Sequence, residues 1–277
     1  MIQDIKPSFY NVSYAPDAEP SDDSVIIFRS GNKMLVGEDD SVITFPRYAD
    51  VKERISSPRY LFSIDDTGFF YADGENDFHM DGYTYKGKPA FRTLNPKNFA
   101  YAGVTAFQFT DWYSVNKYCG RCGKPMRHDA KERMMRCDDC GNMVFPKICP
   151  AVIVAVRDGD KLLMTKYAGR GNNPGYALVA GFAEVGETIE ETCAREVFEE
   201  TGIHIKNLSF YKSQPWPFSD TLLMGFFAEV DGSREITVDE NELSVACWVQ
   251  REDIPATYQD LSITNEMTCV FKYQRTY

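Results

Sequence analysis

The sequence of 277 residues predicts an α+β protein, and three features carry that prediction. Short strand-like runs separated by glycine, aspartate and asparagine fill the first hundred residues. Two C-x2-C pairs lie near the middle of the chain. The second half combines strand-like runs with a helix whose glutamates recur at helical spacing. We therefore expect a β-rich N-terminal domain at 1–94, a linker helix with a cysteine ribbon at 95–148, and a further domain at 149–277.

The N-terminal part is expected to be a small β domain. Its strand-like runs lie at 24–28, 60–64, 68–72 and 83–85. It contains no group of residues typical of a catalytic or metal site. Asn95 and Pro96 then predict a helix start, with Asn95 as N-cap and proline at the first helical position. Apolar residues at helical spacing extend this helix to near Tyr118.

Composition favours a globular protein and limits its partners. Apolar residues make up 43% of the chain, which is ample for real cores. The formal net charge of −11 disfavours broad attraction to nucleic acid, although a local basic patch stays open. No apolar stretch is long enough for a bilayer and the first residues do not resemble a signal peptide, so we expect a cytoplasmic location. His79, His128 and His204 form no cluster and are expected to be surface or packing residues.

Four of the eight cysteines have the spacing of a tetrahedral zinc site. Their two C-x2-C pairs are separated by fourteen residues, and a glycine follows each pair. The alternative is two disulfides, which a chain without a secretion signal disfavours. Four thiolates leave no coordination position for water, so we expect the zinc to be structural. The predicted ligands are Cys119, Cys122, Cys137 and Cys140.

A second candidate metal site lies on a helix predicted at about 189–201. Thr188 and Glu191 form a capping-box pattern at its start, and Gly202 provides its stop. Three glutamates are related as i, i+3 and i+4, so their carboxylates share one helix face. A hard divalent cation such as Mg²⁺ or Mn²⁺ would remove their mutual repulsion. The alternative is a solvated acidic helix face. The three residues are Glu196, Glu199 and Glu200.

The rest of the C-terminal part alternates strand-like runs with turns. The runs lie at 151–156, 161–165, 224–230 and 246–249, and a last helix is expected at about 262–274. Ile189, Cys193 and Val197 form an apolar stripe that would seat the glutamate helix on a sheet. Cys193 is therefore expected to be a packing residue.

The segment at 181–203 resembles the signature of Nudix hydrolases, G-x5-E-x7-R-E-U-x-E-E-x-G-U with U aliphatic, at every fixed position. The resemblance implies an α/β/α sandwich around a mixed sheet and hydrolysis of a nucleoside diphosphate derivative. It implies that the three helix glutamates bind the metal, while Glu242 matches a further carboxylate that binds metal or acts as base. It also implies structural roles for Gly181, Glu187, Arg195 and Gly202. The implied ion pair of Glu187 with Arg195 lies on the face away from the three glutamates that bind the metal.

Residues 213–218, Ser-Gln-Pro-Trp-Pro-Phe, resemble the start of the specificity array S-Q-P-W-P-F-P-x-S of NADH pyrophosphatases. That family also has a four-cysteine ribbon and a β-rich N-terminal domain, so the resemblance covers nearly the whole chain. Ser219 and Thr221 depart from the array, and Phe145 stands where the family usually has tyrosine. The resemblance implies a nicotinamide pocket in which Phe182 stacks and Phe145 comes from the other subunit. Its other implied members are Ile153, Gln214, Thr221, Leu223 and Thr264.

The resemblance thus implies a homodimeric NAD(H) diphosphatase that uses Mg²⁺ or Mn²⁺ and releases AMP and nicotinamide mononucleotide. Removal of NAD caps from RNA is an alternative, because the same bond is broken in a larger substrate. A non-catalytic nucleotide-sensing regulator or nucleic-acid-binding protein is a second alternative. The complete carboxylate set and the acidic charge disfavour it.

Overall fold

The chain divides into two compact units. The computed structural model describes residues 1–40, 42–74, 77–168, 175–239, 242–255 and 259–274. The N-terminal unit contains Ile2–Lys147 and Pro217–Ser219, and the C-terminal unit contains Met1, Ile148–Trp216 and Asp220–Tyr277. Within the described ranges, no helix is both long and apolar enough to cross a membrane. The finer division into an N-terminal domain and a ribbon stays a prediction.

The first part of the N-terminal unit is rich in short strands, as the sequence predicts. One sheet has the order β1-β6-β7-β2, and in a second sheet β4 pairs with β3, β5 and β8. The strands are β1 (Tyr10–Asn11), β2 (Val25–Ile27), β3 (Arg29–Ser30), β4 (Lys33–Asp39), β5 (Val42–Thr44), β6 (Arg59–Ile64), β7 (Thr67–Tyr71) and β8 (Tyr83–Gly87). Short helices lie at α1 (Tyr48–Val51) and, as 3₁₀ turns, at Lys52–Arg54 and Lys88–Arg92.

The linker helix and the cysteine ribbon complete this unit. Helix α2 spans Lys97–Val115, and its N-cap is Pro96 rather than the expected Asn95. Pro96 has extended backbone angles, and its carbonyl accepts from the amides of Phe99 and Ala100, so the helix begins one residue later than expected. The ribbon is a three-stranded antiparallel sheet in the order β11-β10-β9. Its strands are β9 (Arg127–His128), β10 (Met135–Arg136) and β11 (Met143–Val144).

The C-terminal unit is built on one mixed sheet. The order is β15-β16-β12-β13-β17, with β14 also paired to β12, and only β12 and β16 run parallel. The strands are β12 (Cys149–Asp158), β13 (Lys161–Tyr167), β14 (Val179–Phe182), β15 (His204–Trp216), β16 (Thr221–Asp231) and β17 (Leu243–Gln250), and a 3₁₀ turn follows at Arg251–Asp253.

Two helices cover the two faces of this sheet. Helix α3 spans Ile189–Thr201 and helix α4 spans Ile263–Lys272. Along β12, Val152 and Val154 pack in the core that contains Cys193 and Val197 of α3, and the intervening residues pack in the core that contains α4. Burial of both faces explains the continuous apolar run at 151–156. The expected α/β/α sandwich is confirmed, and Cys193 is a packing residue.

The ends of α3 have the features that the sequence predicts. The Thr188 hydroxyl accepts from the Glu191 amide at 3.2 Å, and the Glu191 carboxylate accepts from the Thr188 amide at 2.8 Å. Gly202 has a φ of 69°, which is the left-handed conformation that glycine adopts most easily. These caps fix where α3 begins and ends, and hence the position of its glutamates relative to the strands.

One long strand is not predicted by the sequence pattern. Strand β15 is an edge strand, and its side-chain alternation is interrupted by register shifts between Lys206 and Ser209 and between Phe210 and Lys212. Because it lies at the edge, it also accommodates Pro215, which has no amide to donate. The segment at 213–216 is therefore strand rather than loop.

Replacing Thr188 with alanine is expected to lower the free energy of unfolding by about 1 kcal/mol, because the Glu191 amide loses its acceptor. Thr188→Ser keeps a hydroxyl oxygen and should retain most of the stability. Urea unfolding of the three proteins measures the difference. Equal stability of the alanine and serine variants would show that this hydroxyl does not stabilise α3.

Candidate active site and zinc site

The carboxyl group of Glu196 lies directly against the backbone of Gly181. A Cβ at position 181 would overlap the Cδ and both carboxylate oxygens of Glu196. Gly181 lies in β14, next to α3, and Glu196 is buried on the sheet side of that helix. Only glycine permits this approach, so the residue type at position 181 determines where the Glu196 carboxylate stands.

Arg195 connects the segment before α3 to two carboxylates of the helix. Its guanidinium donates to both oxygens of Glu187, at 2.7 and 2.8 Å, and to the Phe182 carbonyl at 2.9 Å. The Arg195 guanidinium holds the pKa of Glu187 at about 2. Its Nη1 also donates to Glu196 at 2.8 Å and to Glu199 at 3.0 Å. The expectation that this ion pair lies away from the glutamate face was wrong, because one guanidinium reaches both groups.

Glu200 is the most deeply buried carboxylate of α3, with 2% of its surface exposed. Among the described residues, its Oε2 has no hydrogen-bond partner. Burial and the charges of Glu196 and Glu242 raise the pKa of the Glu200 carboxyl to about 8, against the opposing effect of a backbone hydrogen bond at Ala180. A buried carboxyl with an unpartnered oxygen and acidic neighbours is well suited to a cation, which favours its charged form.

The other two carboxylates are exposed. Glu199 is paired only through Arg195 in the described residues, and Glu242 ends the acidic loop whose residues 240–241 lie outside the described ranges. Among the described residues, the four cysteines form a group close enough to hold a metal ion and the carboxylates do not. Arg195 instead donates hydrogen bonds to Glu196 and Glu199. The donors still fit Mg²⁺ or Mn²⁺, since these ions prefer carboxylate oxygens and Glu200 offers a buried one.

The residues of the implied nicotinamide pocket lie on the opposite face of the sheet from the glutamates. Ala151 pairs with Phe182 on one side and with Leu223 on the other, and Leu223 pairs with Gln214. These residues therefore form one row across β14, β12, β16 and β15. Side chains of one row project to the same face. Because Gly181 faces α3, the neighbouring Phe182 faces the side of α4.

The remaining pocket residues of this unit lie on that same face. Ile153 packs in the core formed with α4, and Thr221 lies two residues from Leu223 in β16. Thr264 is the second residue of α4. Gly225, in the row of Ile153, was not singled out by the sequence. A Cβ there would lie 2.7 Å from a Met267 atom, so Gly225 lets α4 approach the sheet. A glycine inside an apolar strand was the signal that could have identified it.

Gln214 is fully buried, and both ends of its amide bond to backbone. Its oxygen accepts from the Ile263 amide at 2.7 Å, and its Nε2 donates to the Leu261 carbonyl at 2.9 Å. The side chain thus fixes the start of α4 beside Thr264. Phe182, by contrast, is 52% exposed and available for stacking. Phe145 belongs to the N-terminal unit, where it is also exposed, and its contribution across subunits stays a prediction.

The ribbon cysteines form a compact group of thiols. Their four sulfur atoms lie within 4.8 Å of one another, and none of the eight cysteines, all in the described ranges, forms a disulfide. The Sγ atoms of Cys119 and Cys140 are 3.6 Å apart, and those of Cys122 and Cys137 are 3.5 Å apart. Four sulfurs about 2.3 Å from a central ion have edges of this size, whereas a disulfide needs about 2.05 Å. The two pairs also have matching loops that end at Gly123 and Gly141, both with positive φ.

Comparison with known proteins agrees with this geometry. Residues 147–268 match the family described as NUDIX domain. The chain therefore contains a Nudix domain. Residues 116–145 match the family described as NADH pyrophosphatase zinc ribbon domain. The two ranges include the 181–203 segment of the Nudix domain and the four ribbon cysteines, so the resemblance stated from the sequence is confirmed.

Several curated relatives share part of their length with this chain. Over 148 residues the sequence is 44% identical to the NAD-capped RNA hydrolase NudC of Salmonella typhi, and equally identical to that of Citrobacter koseri. The match covers 53% of this chain and 57% of each relative. A crystal structure of a NUDIX hydrolase from Nitrosomonas europaea gives a TM-score of 0.49 at 20% identity, covering 57% of this chain and 92% of that chain.

The raised pKa of Glu200 predicts a stability that depends on pH. Its carboxyl has an ordinary pKa near 4.5 in the unfolded chain and about 8 in the folded Nudix domain. The unfolded chain therefore loses this proton first as pH rises, so folding is progressively disfavoured between about pH 4.5 and 8. Glu200→Gln should remove a penalty on the order of 1 to 4 kcal/mol at pH 8.

This effect is measured as the difference in unfolding free energy between the variant and the wild type, without added Mg²⁺ or Mn²⁺. The difference should grow in favour of Glu200→Gln from pH 5 to pH 8, and Mg²⁺ should reduce it by stabilising the wild type alone. A difference that is constant with pH would contradict a raised pKa.

The ribbon geometry predicts one tightly bound Zn²⁺ per chain. Cys137→Ser should lower zinc content and thermal stability together, whereas Cys247→Ser, which changes a lone cysteine of the Nudix domain, should leave the zinc content unchanged. Elemental analysis measures the zinc content, and thermal unfolding measures the stability. Thiol titration of the denatured wild type under chelation should find all eight thiols; four fewer would indicate two disulfides instead.

Proposed function

We propose that the protein is a metal-dependent hydrolase of NADH and NAD⁺, which cleaves the pyrophosphate bond to give nicotinamide mononucleotide and AMP. The observation that carries this proposal is that the Glu196 carboxylate and the Phe182 ring both lie beside β14, on opposite faces of the sheet. Glu196 lies against Gly181 on one face, and Phe182 projects from the other face beside the pocket row. A carboxylate that could bind a metal ion for the pyrophosphate and an aromatic ring that could stack on the nicotinamide thus lie beside the same short strand.

The three glutamates of α3 would hold Mg²⁺ or Mn²⁺, with Glu242 as a further ligand or as the base. Bound there, the ion would neutralise pyrophosphate charge and make the attacking water more acidic. Gly181 and Arg195 fix the position of Glu196. Glu200 holds a proton near neutral pH in the structure described, so it would release that proton when it becomes a ligand.

The pocket residues on the α4 face would select the dinucleotide. Phe182 offers an exposed ring for the nicotinamide, and the charged ring of NAD⁺ is attracted to a π face. Ile153, Leu223 and Thr221 line the same face, and Gln214 positions the start of α4 so that Thr264 can join them. The departure from the family array at position 221 keeps a hydroxyl group.

Removal of NAD caps from RNA is a second candidate function. The curated relatives that match at 44% identity are named as NAD-capped RNA hydrolases, and decapping would break the same pyrophosphate bond in a larger substrate. We further propose a homodimer, in which Phe145 would reach the pocket of the partner, and a cytoplasmic location. The complete set of carboxylates disfavours a non-catalytic regulator.

The nicotinamide assignment predicts a selective effect of Phe182→Ala. The variant should raise the KM for NAD⁺ by roughly 2- to 30-fold, because the ring loses a stacking partner. The KM for ADP-ribose, which has no nicotinamide, should change little. Steady-state kinetics with both substrates measures the split, and Phe198→Ala, at another exposed aromatic of the same unit, is the matched control.

Equal increases in KM for both substrates would mean that Phe182 only packs against its own segment. A wild-type enzyme that prefers ADP-ribose to NADH by tenfold or more in kcat/KM would contradict the dinucleotide assignment itself. The substrate panel should be run with Mg²⁺ and with Mn²⁺, so that loss of activity with one ion is not mistaken for a change of substrate.

A further inference from the structure

The ribbon is a basic segment in an acidic chain. Residues 116–147 contain eight lysines and arginines against four carboxylates, whereas the whole chain contains 30 against 41. A zinc ion with four thiolates would add a formal charge of −2, which leaves the segment positive. Seven of the eight basic side chains are exposed. They are Lys117, Arg121, Lys124, Arg127, Lys131, Arg136 and Lys147.

Two of these arginines stand side by side on the outer face of the ribbon sheet. Arg136 of β10 pairs with Arg127 of β9 on one side and with Met143 of β11 on the other. All three side chains are exposed. The adjacent row contains Met135, which is buried, so it faces the opposite way. The outer face of the sheet is therefore basic and is not covered by the described part of the chain.

An exposed aromatic extends this row. Tyr118 forms a bridge with Pro125, which lies two residues before Arg127 and so projects to the same side. The Tyr118 side chain is 67% exposed. The loop between Tyr118 and Pro125 carries Arg121 and Lys124, which form no salt bridge among the described residues. We call Tyr118, Arg127, Arg136 and Met143 the basic face of the ribbon.

The arginines of the basic face contact two carboxylates of the ribbon, and Arg127 also donates to the His128 carbonyl at 3.3 Å. Arg127 pairs with Asp138 at 2.7 Å, with both side chains more than half exposed. Arg136 approaches Asp129 at 4.0 Å. The Arg127 pair is exposed and contributes little in water, and the contact of Arg136 with the buried Asp129 is long, so a phosphate can compete for both guanidinium groups. Guanidinium groups also match the geometry of phosphate oxygens, which gives paired hydrogen bonds.

We propose that the basic face binds the phosphodiester backbone of single-stranded RNA and that Tyr118 stacks on an unpaired base. Charge complementarity favours a polyanion at this segment, and an exposed aromatic beside arginines is the pattern of surfaces that bind single strands. The inference rests on the proposed function, because an RNA chain attached to the dinucleotide would bring its first nucleotides to the enzyme. The ribbon would then add affinity for capped RNA that free NADH does not use.

The test uses the full-length, zinc-loaded protein and a 12-nucleotide single-stranded RNA without a cap. Fluorescence anisotropy at low salt should show that Arg127→Gln/Arg136→Gln weakens binding by about tenfold or more, and lowers the slope of log K against log salt by about 1.4. Tyr118→Ala should also weaken binding. Asp138→Asn should tighten binding, because it removes the competing carboxylate. Lys206→Gln, an exposed lysine paired with Asp231 in the other unit, is the matched control and should have no effect.

Each variant is first checked for zinc content and for hydrolysis of free NADH, and both should be unchanged. The proposal is overturned if the wild type does not bind the RNA, if Lys206→Gln weakens binding as much as the double variant, or if polyglutamate of equal charge displaces RNA as well as RNA itself. These outcomes leave NADH hydrolysis intact and so do not affect the proposed enzyme. Conversely, a protein that binds RNA as expected but hydrolyses no dinucleotide would support the basic face and contradict the enzyme.

Discussion

The contact between the Glu196 carboxyl and the backbone of Gly181 determines how helix and sheet meet in the Nudix domain. Any side chain at position 181 would push α3 away from β14. The same contact buries Glu196, and burial is the main cause that raises the pKa of its carboxyl. Arg195 balances this cost by donating to Glu196, Glu187 and the Phe182 carbonyl together. The contact between Glu196 and Gly181 therefore requires glycine in β14, sets the position of α3 and affects the charge of the site.

The sheet separates the glutamates of α3 from the predicted pocket residues. The glutamates lie on the face covered by α3, and the predicted pocket residues lie on the face covered by α4. The period of two along a strand produces this separation, since Gly181 and Phe182 project to opposite faces. A dinucleotide has its pyrophosphate between two nucleosides, so a site at the end of β14 suits a substrate that has charge and rings close together. Burial and the acidic neighbours together raise the pKa of Glu200, which disfavours its charged form without an ion and favours a cation.

Local patterns predicted much of this arrangement, and long-range packing determined the rest. The capping box, Gly202 and the apolar stripe through Cys193 fixed α3 within its observed bounds, because each depends on residues a few positions apart. The cysteine spacing likewise predicted the group of four thiols. Strand β15 could not be read from its sequence, since edge strands tolerate proline and bulges. The backbone bonds of Gln214 and the bond from Arg195 to the Phe182 carbonyl join residues through the tertiary fold, which no spacing rule describes.

We propose that the α3 carboxylates hold the ion on which hydrolysis depends. It is tested most directly by measuring NADH hydrolysis over a Mg²⁺ series for Glu199→Gln and Glu200→Gln beside Glu190→Gln, an exposed glutamate in the first turn of the same helix. Each of the first two variants is expected to fold and to lose at least about 100-fold in turnover, while Glu190→Gln retains wild-type turnover. Near-normal turnover in both folded site variants would contradict it.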